Sequence, residues 1–275
     1  MRQVLRPLLV LHPDARFRDQ VRRAGGKRFE YVEVKDWNEL RELVRTSPPA
    51  ALIVVDPYES RDELASPLRA LLLEFPSITV VAALDLHPDR YRDLRTLGAW
   101  GVAEIIVRGE DDTTEAIGRR IRSIQGRPLQ SLLERSLPAN TSGQARALLM
   151  AAAEVVSTGG QARELARMLY LSPRTLLRWC ERAELPPPRR ILVWMRVLMA
   201  AELLDDPGRT VSSVAHACGY SSDNSLRRAL QDFLDTTPTT LRREGAFATA
   251  ARAFLRDLAR TREHHTYTLT GSRAG

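Results

Sequence analysis

The chain has 275 residues, 44% hydrophobic and 27% charged, a composition that fits a folded soluble protein with room for two cores. No apolar run reaches the roughly 18 residues of a membrane helix, and the opening MRQVLRPLLVLHPD is too short in its apolar part for a secretory leader, so a cytoplasmic chain is expected. The net charge of +7 is uneven: residues 1–125 hold 20 basic and 20 acidic side chains, against 21 and 14 in residues 126–275.

In chain order, short apolar runs alternate first with amphipathic stretches. Strands are predicted at Pro7 to Leu11, Phe29 to Val34, Ala51 to Val55, Ile78 to Leu84 and Val102 to Val107. Helices are predicted at Ala15 to Ala24, Trp37 to Thr46, Arg61 to Phe75, Pro88 to Leu97 and Thr113 to Ile124. Five β/α units of this size imply a doubly wound parallel sheet over residues 1–125. Their length and alternation resemble a response-regulator receiver domain, a flavodoxin-like fold with its chemistry at the carboxyl ends of the strands.

That resemblance places Asp56, in VVDPYES, at the phospho-acceptor position. Phosphoryl transfer to a carboxylate needs a divalent cation, which a receiver holds with acidic residues after its first strand. Here that place reads His12 and Pro13, and Asp14 is expected to cap the first helix instead. The hydroxyl residue expected after the fourth strand falls at Ala82 and Ala83, and the lysine expected after the fifth falls at Arg108, followed by Gly109. A degenerate receiver that is not phosphorylated is therefore favoured, with Asp56 a structural or partner-binding carboxylate. Phosphorylation control through Asp56 is the alternative.

Residues 126–143 are expected to be a linker, since Gly126, Pro128, Pro138, Asn140, Ser142 and Gly143 cluster there. A pattern then occurs twice at an interval of 49 residues, as ELARMLYLSPRTLLRW and SVAHACGYSSDNSLRR. Each copy has a short helix (Leu165, Ala166, Leu169; Val214, Ala215, Cys218), a tight turn reaching Ser172 or Ser221, and a second helix starting at that serine. Gly219 supplies a permissive turn backbone in the second copy. Both read as helix-turn-helix, whose second helix enters the major groove. The candidate DNA contacts are Ser172, Arg174, Thr175 and Arg178 in the first, and Ser222, Asn224, Ser225, Arg227 and Arg228 in the second. At the 49-residue interval Arg178 and Arg227 are equivalent. Between the copies, Ile191, Trp194, Met195, Leu198, Ala201 and Leu204 have the spacing of one long helix that would hold the two units apart at a fixed distance.

With LARMLYLSPRTLLR, RVLMAAELL, VSSVAHACGYSSDNSLRRAL and TTPTTLR, residues 144–243 resemble the DNA-binding domain of the AraC/XylS family of bacterial transcription regulators. The resemblance implies two reading helices on adjacent turns of double-stranded DNA, roughly 34 Å apart. Leu226, Asp235 and Leu241 depart from that family's usual aromatic, glycine and tyrosine, as core or turn substitutions. The C-terminal charge excess suits DNA phosphates.

In residues 244–275 a further helix is expected, with Phe247, Ala250, Ala251, Phe254, Leu255 and Leu258 on one face and an irregular tail from Thr266. Cys180 and Cys218 lack metal-ligand spacing and read as buried thiols. His87, His216, His264 and His265 have no companion nucleophile or ligand pattern. The expected fold is thus α/β plus all-α, and the expected function is transcription regulation by binding, with no enzyme activity, cofactor or metal. A homodimer, RNA polymerase and a signalling protein are open as partners. A protein-interaction adaptor without DNA binding is the remaining alternative.

Overall fold

The computed structural model describes residues 6–48, 50–58, 63–110, 113–124, 127–157 and 159–271. They divide into two compact units, the first comprising Met1–Pro128 with Asp206–Ser213, the second Leu129–Asp205 with Val214–Gly275.

In the first unit, strands β1 (Arg6–Leu11), β2 (Phe29–Glu33), β3 (Leu52–Val55), β4 (Thr79–Asp85) and β5 (Glu104–Arg108) form one sheet. Its order is β2-β1-β3-β4-β5, and every pair is parallel. This is the flavodoxin-like order of a doubly wound sheet. Helices α1 (Ala15–Gly25), α2 (Trp37–Thr46), α3 (Ser66–Glu74), α4 (Tyr91–Trp100) and α5 (Thr114–Ser123) alternate with the strands. The central strands are apolar on both faces because both are covered. Leu9, Ile53, Val55, Val80 and Ala82 pack with Leu40, Leu68, Phe75 and Leu97 on one face. Leu8, Val10, Val54, Val81 and Ile106 pack with Phe17, Val21, Ile117 and Ile121 on the other.

The expected strands are all present within two residues of their predicted ends. Helix α3, however, starts at Ser66 with Pro67 in its first turn, whereas the expected start at Arg61 lies outside the described residues. Helix α4 is preceded by a 3-10 turn at Pro88–Arg90, so the stretch expected as one helix from Pro88 changes geometry at Tyr91.

The expected linker is largely helical. Although Gln125 and Gly126 lie outside the described residues, α6 spans Arg127–Ser136. Leu129 and Leu133, four residues apart and so on one helical face, are buried together with Leu137.

The second unit is helical: α7 (Gly143–Ser157), α8 (Ala162–Met168), α9 (Pro173–Arg182), α10 (Pro188–Leu204), the larger part of α11 (Val211–Ala217), α12 (Asp223–Leu234), α13 (Pro238–Arg243) and α14 (Ala246–Gly271). Helix α10 is more than a spacer. Its apolar residues occur on every side, and it packs against α7, α8, α9, α12, α13 and α14, as a helix without a polar face must. Trp194 at its centre meets Phe233 of α12 edge-on at 5.0 Å and Phe254 of α14 at 5.5 Å. Its indole N–H donates to Asp257 at 2.6 Å, and Arg190 donates to both oxygens of the same carboxylate at 2.7 and 2.9 Å. Burial pushes the Asp257 carboxyl up, but these bonds outweigh it and hold it below the ordinary range. The expected C-terminal helix therefore belongs to this core. It also continues through Gly271 where an irregular tail was expected from Thr266, while residues 272–275 lie outside the described ones.

Candidate nucleic-acid interface

The two helix-turn-helix units share the same hydrogen bonds at the turn that follows their first helices. In the first, the N–H groups of Leu169, Tyr170 and Leu171 donate to the carbonyls of Leu165, Arg167 and Ala166. In the second, Cys218, Gly219 and Tyr220 donate to Val214, His216 and Ala215, each 49 residues later. Tyr170 and Gly219 occupy the same turn position, and both are left-handed, with φ of 55° and 72°. Glycine takes that conformation freely, whereas a residue with a Cβ does not.

After the turn the interval becomes 50, because the second turn is one residue longer. Ser172 caps α9, its hydroxyl accepting from the Thr175 N–H at 3.1 Å. The cap of α12 is Ser222, which accepts from the Ser225 N–H at 3.2 Å while the Ser225 hydroxyl accepts from the Ser222 N–H at 3.1 Å. This reciprocal arrangement is a capping box. The expected start of the second reading helix at Ser221 is corrected accordingly. Beyond the caps, Leu176 and Cys180 are buried in α9, as are Leu226 and Leu230 in α12, again 50 apart. The equivalent of Arg178 is therefore Arg228, and Arg227 matches Leu177. The one-residue shift was countable in the sequence, since Leu171 to Leu176 is one step shorter than Tyr220 to Leu226.

With that register, the outward faces coincide. Arg174 and Arg178 are exposed on α9, as are Asn224, Arg227 and Arg228 on α12. Among the described residues, none of these four arginines makes an ion pair or side-chain hydrogen bond. By contrast, Arg41, Arg108, Arg190 and Arg209 are all paired. Ser172, Thr175, Ser222 and Ser225 lie at the start of the same helices, but their hydroxyls are engaged in the caps. The departures from family pattern fall as expected. Leu226 and Leu241 are fully buried, and Asp235 ends α12 in the left-handed conformation where a glycine is usual. Cys180 and Cys218 are free and buried, and burial raises the Cys180 thiol to about 11.

A second cluster of polar residues lies at the carboxyl end of the sheet in the first unit. Asp14 caps α1, accepting from the N–H groups of Arg16 at 2.8 Å and Phe17 at 3.2 Å. Arg108, at the end of β5, donates to Asp14 and, at 3.3 Å, to Asp85 at the end of β4. Burial pushes the Asp14 carboxyl up, but the amides of Phe17 and Arg16 and the Arg108 charge hold it below the ordinary range. Asp56 follows β3, accepts from the Tyr58 N–H at 3.0 Å, and is raised by burial, with Tyr58 and Arg108 opposing only part of the shift. The register pairing Val55 with Ala82 puts Ala83 level with Asp56. His12 is buried, its Nδ1 accepting from the Asp14 N–H at 3.1 Å. Burial, reinforced by the Arg108 charge, lowers it to about 4, so it is neutral at neutral pH. Among the described residues, no three or more His, Cys, Asp or Glu are grouped to hold a metal ion. Among them also, no helix is long and apolar enough to cross a membrane.

No curated protein and no solved structure matches the chain. Residues 165–244, from α8 to the residue after α13, match the family described as a helix-turn-helix domain. This stretch is thus a helix-turn-helix domain of the AraC type, and it supports a DNA-binding transcription regulator.

Proposed function

We propose that the chain is a sequence-specific regulator whose α9 and α12 each enter the major groove of double-stranded DNA, with Arg174, Arg178, Asn224, Arg227 and Arg228 as the contacts. The observation that carries this is the pair of equivalent outward faces bearing unpaired guanidinium groups, in a segment that matches a DNA-binding family. An uncommitted guanidinium can form a bidentate pair with guanine or hold a phosphate without first breaking an internal ion pair. Ser172, Thr175, Ser222 and Ser225 set the start of each helix, and their amide ends can also meet phosphates.

The N-terminal unit serves as a dimerisation or signal-input module that does not depend on phosphorylation. Support comes from Arg108, whose guanidinium is held between Asp14 and Asp85 beside the carboxylate that a receiver would phosphorylate. A resident cation there offsets the negative charge that would attract a divalent metal. Incubation with magnesium and acetyl phosphate, or with beryllofluoride, tests this directly. Modification of Asp56 would establish the phosphorylation-controlled alternative.

Recovery of bound genomic DNA with the wild-type chain, against an Arg178→Ala/Arg228→Ala double variant, tests the main reading. An enriched motif lost in the variant is expected. The absence of any enriched motif would favour a protein-interaction adaptor.

A further inference from the structure

The eight residues Asp206–Ser213 run from just after α10 into the first three residues of α11, yet they belong to the N-terminal compact unit. Their placement there is specific. Arg209 and Asp206 form an ion pair at 2.9 Å in which both side chains are essentially inaccessible, at 0% and 1%. Arg209 also donates to the carbonyls of Arg45 and Ser47 at the end of α2, both at 2.9 Å. The two oxygens of Asp206 accept from the Ser77 N–H at 3.0 Å and the Ser77 hydroxyl at 2.5 Å. Between them, the Gly208 N–H donates to the last carbonyl of α3, that of Glu74, at 3.0 Å. A Cβ on Gly208 would overlap the Glu74 Cγ and lie 2.6 Å from the Phe75 ring, so a larger residue would force these side chains to shift.

The segment thus satisfies the C-terminal carbonyls of two helices and places a cation at the negative end of α2. A buried ion pair is tolerated only when its partners are complete; here the completing groups come from residues 45, 47 and 77. The chain on either side is tied just as closely. Asp205 accepts from the N–H groups of Ala246 and Phe247 at the start of α14, at 2.7 and 2.9 Å. Thr210 and Ser213 exchange hydrogen bonds at 2.9 and 3.0 Å around the start of α11.

We infer that Asp206, Arg209 and Ser77 are positioning residues for the second helix-turn-helix, so that changes in the N-terminal unit bias DNA reading by α12 and leave α9 unaffected. The reason is connectivity: α11 begins at Val211, inside the seated segment, whereas α8 and α9 receive no residue from it. A rearrangement at the ends of α2 and α3 must either carry the segment with it or unseat a buried charge. Both outcomes act on the start of α11.

The test uses the full chain with Ser77→Ala, which removes one hydroxyl from Asp206, and Arg209→Met as the stronger variant. Hydrogen exchange is followed over α11 and α12 against α8 and α9. For Ser77→Ala, exchange about fivefold to tenfold faster in the second pair with no change in the first is expected. Equal acceleration in both pairs, or none in the second, overturns the inference. If Arg209→Met does not fold, Ser77→Ala alone decides.

The DNA consequence rests on the proposed function and is read separately. A duplex recovered from a random pool by the wild-type chain is footprinted with hydroxyl radicals, using Arg178→Ala and Arg228→Ala to assign the two halves. Selective loss of the Arg228 half in Ser77→Ala is expected, and uniform weakening overturns the inference. Recovery of no duplex by wild-type protein would remove the DNA-binding reading, and the exchange comparison would still decide the coupling.

Discussion

The two helix-turn-helix units solve one geometric problem in different ways. In both, three turn hydrogen bonds at equivalent positions bring the chain round to the reading helix. The first makes the turn with an exposed tyrosine in the left-handed conformation and starts its helix with Pro173 behind Ser172. The second uses Gly219, adds one residue, and closes the helix start with a capping box. What is common to both is the burial of two residues four apart, Leu176 and Cys180 or Leu226 and Leu230. The shared core contact therefore sets which side chains face outward, while the turn is free to vary in length.

The strongest test of that shared contact is to remove it on each side. Leu176→Ala and Leu226→Ala should each destabilise the chain by about 2–5 kcal/mol, the usual cost of emptying a buried leucine site. Urea unfolding followed by circular dichroism measures both. Equivalence predicts similar losses; a large loss at Leu226 and almost none at Leu176 would mean that the two units are not held by the same anchor.

A smaller effect is expected at the outward faces, where the 50-residue register pairs Arg178 with Arg228 and leaves Arg227 opposite Leu177. Each of Arg178→Ala and Arg228→Ala should cost about 1–3 kcal/mol of binding at a cognate site if it reads a base. A phosphate contact would instead lower the slope of log affinity against log salt by roughly one. Titration at several salt concentrations separates these cases. If Arg227→Ala matches Arg178→Ala in base selectivity and Arg228→Ala does not, the 49-residue equivalence is restored.

How far the amino-acid pattern carried these conclusions depended on the range of the interactions. The sheet was legible because doubly covered parallel strands read as continuous apolar runs such as LIVV and VVAAL. The Ser172 cap and Asp14 were legible because they act within three residues. Helix α6 was hidden by Pro128 in its first turn and by the glycines and proline around it, although Leu129 and Leu133 had helical spacing. The extra residue in the second turn is masked by the matched serines, Ser172 and Ser221, and only the later leucines reveal the shift. Asp206 and Arg209 could not be read at all: DDPGRT looks like a turn between helices, and its partners lie 129 to 164 residues away. The pairing of Arg108 with both Asp14 and Asp85 likewise required the sheet register.

The caps should show a modest difference. Ser172→Ala and Ser222→Ala each remove a side-chain acceptor at a helix start, worth about 1 kcal/mol. Alanine at 222 keeps the backbone N–H that donates to the Ser225 hydroxyl, so half of the box survives and the second unit should lose slightly less in thermal unfolding. A larger loss at Ser222 would indicate that the box fails as a whole once its side-chain acceptor is gone.

The smallest effect has opposite signs in the two units and follows from the turn alone. No atom lies within 4 Å of a Cβ built on Gly219, so Gly219→Ala meets no clash and its cost is purely conformational. Left-handed backbone costs an L-residue about 1–2 kcal/mol, and the stiffer unfolded chain returns roughly 0.5–1 kcal/mol, leaving a net loss of up to about 1.5 kcal/mol. Tyr170 is 96% exposed, so Tyr170→Gly sacrifices little packing and should gain stability by a similar amount. Differential scanning calorimetry of both single variants and the double reads the result, which should be nearly neutral in the double because both changes act on backbone conformation at separate turns. A loss on Tyr170→Gly would mean that the tyrosine ring, despite its exposure, holds the first turn by contacts that the backbone does not reveal.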